Sequence, residues 1–401
     1  MTMRKAIVLA TDKNYLEKVL VTIKSISVYN RDIDFYLLHQ GDVPIEWIRS
    51  IDNHLSSLGS RLRNAYISDT AINSYESRLA VSSWLRFFIA DIVKEDRAIY
   101  LDSDLVVNGS LDYLFEMNLE DAYLAAVKDP SKDEDGGFNA GVMVLNLVQW
   151  RKENVTEKLF RTAQEKHTQV RNGDQSILNL VCSGRWHALD KGFNYQTYDN
   201  PSRYEKFSYL YEDIGDWTPT IVHFLTADKP WNSHSVARFR ELWWYYFHLE
   251  FSQINGCRRD PITFREAMEV LSDFEKNAFI LTNSDRLEQM KYLAEALPHV
   301  QFHIAAYTLV APSLKSLMDF DNVRVYPEII NARVDKLLAY CDIYLDINHN
   351  IEQYNITERA KKAGKKVLAF DNTVHQPDNA SEIISHESPQ LMVEAINKIE
   401  Y

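Results

Sequence analysis

The residues best placed to do chemistry are two aspartates separated by a single serine. Asp102 and Asp104 follow the apolar run Ala98–Leu101, which has the composition of a buried strand. Residues two apart in a strand point the same way, so both carboxylates can face one ion while Ser103 turns aside. Carboxylate oxygens suit a hard divalent cation, and such a cation can hold a diphosphate. An isolated pair of this kind usually decorates a solvated strand end, so its meaning depends on the residues that accompany it.

Three further segments contain residues that could act together with Asp102 and Asp104. The segment Phe138–Asn146 joins a turn of small residues to a buried-strand pattern, and small residues let a ligand approach the backbone closely. Asp174 and Gln175 add an acid and an amide farther along the chain. The segment His223–Trp231 then supplies an imidazole, the cation of Lys229 and a rigid proline turn.

The elements that must position these residues alternate along the chain up to Trp231. Short apolar runs predict strands, and amphipathic stretches predict helices. This alternation favours a mostly parallel sheet covered by helices, with ligands at the carboxyl ends of the strands. Asp12 and Asp102 each follow a predicted strand, so they can share one crevice. The predicted strands are Ala6–Ala10, Asp34–Leu38, Ala98–Leu101, Tyr123–Val127 and Val142–Leu145, and the predicted helices are Tyr15–Tyr29, Leu79–Ile89 and Val155–Lys166.

A second α/β domain is predicted after the glycine-rich part of the chain ends. Gly364 is the only glycine after Gly256. No Gly-rich turn follows any strand there, so a second nucleotide site is not expected. We therefore divide the chain into a first domain, 1–256, that carries the motifs described above, and an add-on domain, 257–401. Its predicted strands are Ala278–Leu281, Val300–Ala306, Val323–Tyr326, Asp342–Ile347 and Lys366–Phe370, and its helices are Ser284–Leu297, Ala332–Tyr340, Glu352–Ala363 and Pro389–Ile399.

Length and composition are those of a globular protein with more than one domain. The chain has 401 residues, above the roughly 250–300 residues at which single cores stop growing. A formal net charge of -13 argues against nucleic acid as a partner. The apolar run Ala6–Ala10 is too short for a leader or a membrane span. Cys182, Cys257 and Cys341 are isolated and odd in number, which indicates buried thiols, a reducing compartment and a cytoplasmic location.

The segment Ser235–Leu249 is unusually aromatic. Aromatic residues on nearly every side of a helix favour burial, here between two domains. The functional alternative is a platform for an acceptor, since sugars stack on aromatic faces.

The ordered motifs resemble those of glycosyltransferase family 8, which comprises retaining nucleotide-sugar transferases. The similarity runs from about Lys5 to Trp231, through the strand Ala6–Ala10, the segment Trp84–Phe88 and the motifs already described. One departure stands out: the family usually has glycine in H-x-x-G-x-x-K-P-W, and this chain has Thr226. Threonine would be strained there if the position required a positive φ.

The resemblance implies a GT-A, Rossmann-like catalytic domain and assigns roles to its residues. Asp102, Asp104 and His223 would hold a divalent cation, and the imidazole favours Mn²⁺ over Mg²⁺ because it suits a softer ion. Lys229 would place a positive charge on the β-phosphate. The residues expected to contact the donor are Ala10, Thr11, Asp12, Tyr15, Arg86, Asp102, Ser103, Asp129, Asn139, Ala140, Gly141, Thr226 and Lys229.

Asp174 and Gln175 are the expected catalytic residues. Asp174 would orient the sugar hydroxyls or stabilise an oxocarbenium-like transition state. Because the amide of Gln175 is a poor nucleophile, front-face displacement assisted by the leaving group is favoured over a covalent intermediate.

The resulting hypothesis is a metal-dependent retaining hexosyltransferase that uses UDP-galactose or UDP-glucose. Its two-domain organisation resembles enzymes of bacterial adhesin O-glycosylation, which implies a glycan on a protein as the acceptor. Two alternatives stay open at this point. One is a UDP-sugar transferase of surface polysaccharide or lipopolysaccharide synthesis, and the other is a degenerate carbohydrate-binding module without activity.

Overall fold

The computed structural model describes residues 4–68, 81–129, 137–166, 169–170, 173–197, 218–307, 310–327 and 331–399, with only the backbone described for 81–83 and 331–332. The chain forms two compact units. Unit 1 comprises residues 1–196, 218–225 and 246–262, and unit 2 comprises residues 197–217, 226–245 and 263–401.

Unit 1 is built on a seven-stranded sheet in the order β3-β2-β1-β4-β7-β6-β8, beside a three-stranded sheet in the order β5-β10-β9. In the large sheet β7 runs against the other strands, because it is antiparallel to both β4 and β6, while the remaining pairs are parallel. The prediction of a mostly parallel sheet is therefore confirmed. The strands are β1 Lys5–Ala10, β2 Ile33–His39, β3 Arg61–Tyr66, β4 Arg97–Leu101, β5 Leu105–Val107, β6 Leu124–Lys128, β7 Phe138–Asn146, β8 Trp186–Leu189, β9 Tyr195–Gln196 and β10 Ile221–His223.

Both faces of the large sheet are covered. Val8 and Tyr100 face one hydrophobic cluster, and their neighbours Leu9 and Leu101 face the other, because successive strand residues point to opposite faces. Each such side chain contributes about 2 kcal/mol when it is fully buried. The α-helices are Leu16–Tyr29, Ile45–Ser56, Ile89–Ile92, Asp112–Glu116, Leu147–Lys152, Val155–Lys166 and Gly173–Val181. The 3₁₀ helices are Lys13–Tyr15, Val81–Phe88, Lys191–Phe193 and Phe251–Gln253.

Unit 2 is built on six parallel strands in the order β13-β12-β11-β14-β15-β16. The strands are β11 Lys276–Thr282, β12 Val300–Ala306, β13 Val323–Tyr326, β14 Ile343–Asp346, β15 Lys366–Phe370 and β16 Glu382–Ile384. The α-helices are Phe264–Leu271, Met290–Ala296, Pro312–Lys315, Asn331–Tyr340, Ile356–Lys362 and Pro389–Asn397, with 3₁₀ helices at Ser316–Asp319 and Pro377–Asn379.

Three predicted helices need correction. Residues 79 and 80 of the first lie outside the described residues, and the rest of it is a 3₁₀ helix, Val81–Phe88, followed by the short α-helix Ile89–Ile92. The helix predicted from Ser284 begins only at Met290, and the one predicted from Glu352 begins only at Ile356. In both cases the preceding residue has a left-handed backbone, with φ of 54° at Gln289 and 49° at Asn355, which a continuing right-handed helix excludes.

The aromatic segment forms the helix Arg240–His248, and Leu242, Trp243 and Tyr246 are buried. Cys182 and Cys341 are buried as expected, but Cys257 is exposed, so the expectation of buried thiols was wrong for that residue. Among the described helices, none combines the length and the apolar composition that a membrane crossing requires.

Candidate active site

Two acids and a histidine converge where β4 and β10 end. One ligand atom from each of Asp102, Asp104 and His223 lies within 4.8 Å of the others. His223 Nε2 is 3.1 Å from Asp104 Oδ1 and 3.7 Å from Asp102 Oδ2. The antiparallel pairing of β10 with β5 places His223 opposite Leu105, directly after Asp104. The pairing register of the small sheet therefore brings together residues that lie more than a hundred positions apart in the chain.

The proton on the imidazole is assigned by the neighbouring amides. His223 Nδ1 lies 3.0 Å from Asn194 Oδ1. Asn194 Nδ2 donates to Asn139 Oδ1 at 2.9 Å, so Asn194 presents its carbonyl oxygen to the imidazole. Nδ1 must then carry the proton and Nε2 faces the carboxylates, which is the tautomer that binds a metal through Nε2.

This orientation is propagated through a chain of amides. Gln175 Oε1 accepts from Asn139 Nδ2 at 3.2 Å and from the Ala140 backbone N–H at 3.1 Å. Gln175 Nε2 donates to Asp129 Oδ2 at 2.8 Å. Asp129 and Asn139 are buried. The amide planes of Gln175, Asn139 and Asn194 are thus each fixed by two or more hydrogen-bond partners, and this series of hydrogen bonds ends at His223.

Gly141 provides the space for His223. A Cβ on Gly141 would lie 2.1 Å from His223 Cε1 and 2.9 Å from Asp102 Oδ2. Its backbone carbonyl also accepts the Asp102 N–H at 2.8 Å. The bare Cα therefore lies against the side chains of His223 and Asp102, a role that the expectation of a direct contact with the sugar donor did not include.

Arg86 links two acids in a buried pocket. Its Nη2 is 3.2 Å from Asp102 Oδ1, and its Nε is 2.8 Å from Asp174 Oδ2. Nη1 donates to the Ala140 carbonyl at 2.9 Å, and the guanidinium lies over the Tyr100 ring. Burial acts to lower the pKa of Arg86, but the carboxylates of Asp102 and Asp174 raise it overall. Because the Tyr100 hydroxyl also donates to Asp102 Oδ1, Oδ2 is the Asp102 oxygen that faces His223.

A crevice of about 410 Å³ opens at the carboxyl ends of β1 and β4. Ser103 does turn away from the acids, since its hydroxyl donates to the Ala10 carbonyl at 2.7 Å. Burial, Asp104 and Asp12 together raise the pKa of Tyr15, so the phenol stays protonated and can donate a hydrogen bond. The crevice is lined by Ala10, Thr11, Asp12, Tyr15, Leu85, Arg86, Tyr100, Asp102, Ser103 and Asp104.

The two expected catalytic residues are at the start of the helix Gly173–Val181, and they are not among the residues that line this crevice. Burial raises the pKa of Asp174, an effect that Arg86 opposes. Asp174 Oδ2 is close to Arg86 Nε but accepts no well-directed hydrogen bond among the described residues. Both polar atoms of the Gln175 side chain are engaged in the amide chain. The catalytic assignment of these residues stays a prediction.

Thr226 and Lys229 belong to unit 2, whereas the other site residues belong to unit 1. Thr226 is absent from the described residues that have a positive φ, so its β-branched side chain is not strained in the way its departure from the family pattern suggested. Their phosphate contacts stay predictions.

Sequence reasoning missed three residues of the site. Asn194 fixes the His223 tautomer, Tyr100 anchors Asp102, and Leu85 lines the crevice. Tyr100 stands two positions before Asp102, so strand periodicity could have placed them on one face. Asn194 carries no such signal, because only the fold brings its loop to His223.

The donor set fits a divalent cation. Two carboxylates and an imidazole nitrogen are ligands that divalent transition metals take, and a Cβ at Gly141 would clash with the His223 ring and with Asp102 Oδ2. Because Asn194 accepts from Nδ1, Nε2 is the nitrogen that lies beside the two carboxylates.

Comparisons with known proteins find matches to both parts of the chain. The family model described as glycosyl transferase family 8 matches residues 6–235, and that of the GftB/GlyA-F C-terminal domain matches residues 278–400. Glycosyltransferase GlyF of Streptococcus pneumoniae serotype 4 (strain ATCC BAA-334 / TIGR4) is 36% identical over 408 residues, which cover 99% of this chain and 100% of GlyF. The crystal structure of the glycosyltransferase GlyE of the same strain is 33% identical, covers 99% of each chain and has a TM-score of 0.55.

A third relative matches a smaller part of the chain. GtfB of Streptococcus agalactiae, described as a stabilizing protein of UDP-N-acetylglucosamine–peptide N-acetylglucosaminyltransferase, is 39% identical over 126 residues, or 31% of this chain and 28% of GtfB.

These matches confirm the fold class, a GT-A catalytic domain with an additional carboxyl-terminal α/β domain. They also confirm that the protein is an enzyme that transfers a glycosyl group. The first family model matches more than half of the 401 residues, and full-length relatives exceed 30% identity. The chain therefore belongs to glycosyl transferase family 8.

Proposed function

We propose that this enzyme transfers galactose or glucose from a UDP-sugar, with Mn²⁺ bound and with retention of configuration, to a glycan on a protein. The observation that carries the proposal is the cluster of Asp102, Asp104 and His223 at the edge of the β1–β4 crevice. A metal ion bound there would stabilise the negative charge that develops on a leaving diphosphate.

The residues around the cluster divide the remaining tasks. Asp12 and Tyr15 also line the crevice, where they would contact the nucleoside. Arg86 contributes a guanidinium whose raised pKa keeps it charged, and it holds Asp102 and Asp174 in place. Lys229 would contact the β-phosphate, as family resemblance predicts.

Retention is favoured because the described acids beside the cluster face the cation site or pair with Arg86, so none of them is assigned as a base or nucleophile. Asp102 and Asp104 face the cation site, and Asp174 is paired with Arg86. Gln175 is held by three hydrogen bonds, and its amide is a poor nucleophile. A leaving phosphate on the same face as the acceptor would take the acceptor proton, which preserves configuration.

The acceptor assignment rests on the carboxyl-terminal part of the chain. Residues 278–400 match a domain named after GftB and GlyA-F, and GtfB is described by its role with a peptide-modifying transferase. We propose that 1–256 binds the donor and that 257–401 engages the acceptor.

A donor panel tests the proposal. Full-length protein is incubated with Mn²⁺ and UDP-galactose, UDP-glucose or UDP-N-acetylglucosamine, and released UDP is measured with and without a glycosylated serine-rich peptide. We expect release from a UDP-hexose that the peptide accelerates and EDTA abolishes. Asp104→Asn serves as the inactive control. Equal UDP release in EDTA would contradict the metal assignment. Acceleration of UDP release by a lipid-linked glycan but not by the peptide would contradict the acceptor assignment.

A further inference from the structure

The second sheet repeats the strand arrangement that creates the first crevice. In the large sheet of unit 1 the chain moves outward through β1, β2 and β3 and then returns to place β4 on the other side of β1. In unit 2 it moves through β11, β12 and β13 and returns to place β14 on the other side of β11. Ligands of open α/β sheets bind at such a switch point, outside the carboxyl ends of the strands.

A crevice lies at that point in unit 2. Its volume is about 570 Å³, larger than that of the crevice beside the metal ligands and within the roughly 300–1,000 Å³ of small-molecule sites. Its walls are the segment Asp285–Tyr292 after β11, Ser313 and Leu317 after β12, and His349 after β14.

The wall after β11 is preorganised. Leu287 pairs with Asn348 in an isolated bridge, and the Glu288 N–H donates to the Ile347 carbonyl at 2.9 Å. Gln289 adopts φ 54°, which is unfavourable for a residue with a Cβ. A left-handed residue held in place beside a crevice is typical of a functional site.

Charge and backbone chemistry in the crevice disfavour a phosphate. Asp285 and Glu288 offset Arg286 and Lys291 in the lining, so the crevice has no strong positive field. The segment Asp285–Tyr292 contains no glycine, so it lacks the Gly-rich turn that brings backbone N–H groups close to a phosphate in nucleotide-binding loops.

The same groups suit a neutral polyol. Glu288 Oε2 accepts from His349 Nε2 at 2.7 Å and from Asn372 Nδ2 at 2.9 Å, which fixes the carboxylate without using Oε1. Asp285 Oδ2 is likewise held by the Ser313 hydroxyl at 3.0 Å. Fixed carboxylate oxygens accept from vicinal hydroxyls, and the partly exposed ring of Tyr292 offers a face on which a pyranose can stack.

We infer that this crevice is a second saccharide-binding site, which holds a neutral hexose unit of the acceptor or product glycan away from the donor site. The choice of acceptor glycan rests on the proposed function, but the crevice and its saccharide chemistry do not. A glycan held there would keep the protein acceptor near the enzyme between transfers.

Saccharide binding by the full-length protein tests the inference. Methyl galactosides, methyl glucosides and N-acetyllactosamine are titrated by saturation-transfer NMR with excess UDP and Mg²⁺, which is diamagnetic, so that the donor site is occupied. Tyr292→Ala or Glu288→Gln should weaken saccharide binding about tenfold, the equivalent of one lost contact to a charged or aromatic group. Tyr292→Phe should retain most of the affinity, and Glu295→Gln on the same helix should bind as wild type.

The outcomes separate this site from the proposed function. Saccharide binding by a protein that releases no UDP from any donor would leave the second site standing and contradict the proposed activity. Unchanged binding in Tyr292→Ala and Glu288→Gln, no binding of any probe, or displacement of the saccharide by inorganic phosphate would overturn the second site.

Discussion

Substitution of Gly141 by alanine is a direct test of the metal cluster. The new methyl group would lie 2.1 Å from His223 Cε1, 2.7 Å from His223 Nδ1 and 2.9 Å from Asp102 Oδ2. Carbon atoms in contact are normally about 3.5–4.0 Å apart, so the imidazole must move by more than 1 Å or the backbone must shift. His223 is buried and held by Asn194 and by the carboxylates.

The magnitude follows from two opposing effects. Gly141 does not have a positive φ, so alanine fits its backbone and would stabilise the fold by about 0.4–1 kcal/mol through the unfolded state. Overpacking costs about 1–3 kcal/mol in a well-packed site. The net loss of unfolding free energy is therefore about 0–2.6 kcal/mol, which leaves the protein folded. The larger effect is on the metal, because displacing a ligand or its support lowers affinity by about 10–100-fold.

Mn²⁺ affinity is measured by electron paramagnetic resonance of the free ion, and the fold is monitored by thermal unfolding. Gly109→Ala is the matched control, since its Cβ would meet Thr220 Cγ2, the end of a side chain, at 3.2 Å. We expect Gly109→Ala to bind Mn²⁺ as wild type. If folded Gly141→Ala binds Mn²⁺ with unchanged affinity, the geometry of the cluster is wrong.

Four further outcomes are expected. Asp104→Asn, or EDTA with wild type, should abolish UDP release while the unfolding temperature stays within a few degrees; substantial turnover in either would exclude the metal mechanism. Asn194→Ala should weaken Mn²⁺ binding about 10–100-fold, because the His223 imidazole loses the hydrogen bond that fixes its tautomer and orientation. An unchanged Mn²⁺ affinity would show that Asn194 does not position His223. An α-linked UDP-hexose should give an α-glycoside, and a β anomeric coupling in the proton NMR spectrum of the fresh product would refute retention. The hydrogen bond to Asp346 raises the pKa of His375 above its ordinary value of 6.5. The pair therefore stabilises the fold fully below that pH, and less as the pH rises through the raised value. His375→Gln should lower the melting temperature more at about pH 6 than at about pH 9, and a difference that does not depend on pH would contradict this.

The positions of the buried strands were the part of the fold that the sequence predicted best. Buried strands such as Val300–Ala306 and Lys366–Phe370 were predicted to the residue, because both of their faces pack into the core and their apolar runs end where burial ends. The first residues of the helices were predicted less accurately. At Gln289 and Asn355 the polar residue before the helix is left-handed, and single-sequence patterns do not distinguish such a residue from a helical one.

The site was predictable where it lies on strand ends and unpredictable where it depends on loops. Asp102 and Asp104 were found because a strand places alternate residues on one side. Asn194 was missed because its position beside His223 depends on how β9 and β10 pair, and no local pattern records that pairing. The sequence predicts that Gly141 contacts the sugar donor. It does not reveal that the buried imidazole of His223 packs against the Gly141 Cα.

The two sheets separate what topology determines from what individual residues determine. Both place their first strand beside a returning fourth, so both have a crevice at a switch point. In unit 1, acids follow β4 and a glycine in β7 admits the histidine, so the described residues gather ligand atoms that suit a cation. In unit 2, the described residues after β11 balance acid with base and lack glycine, so the same strand arrangement offers hydrogen-bonding groups of both charges instead. The likeness of the two crevices therefore lies in the backbone topology, and the difference in their chemistry lies in the side chains.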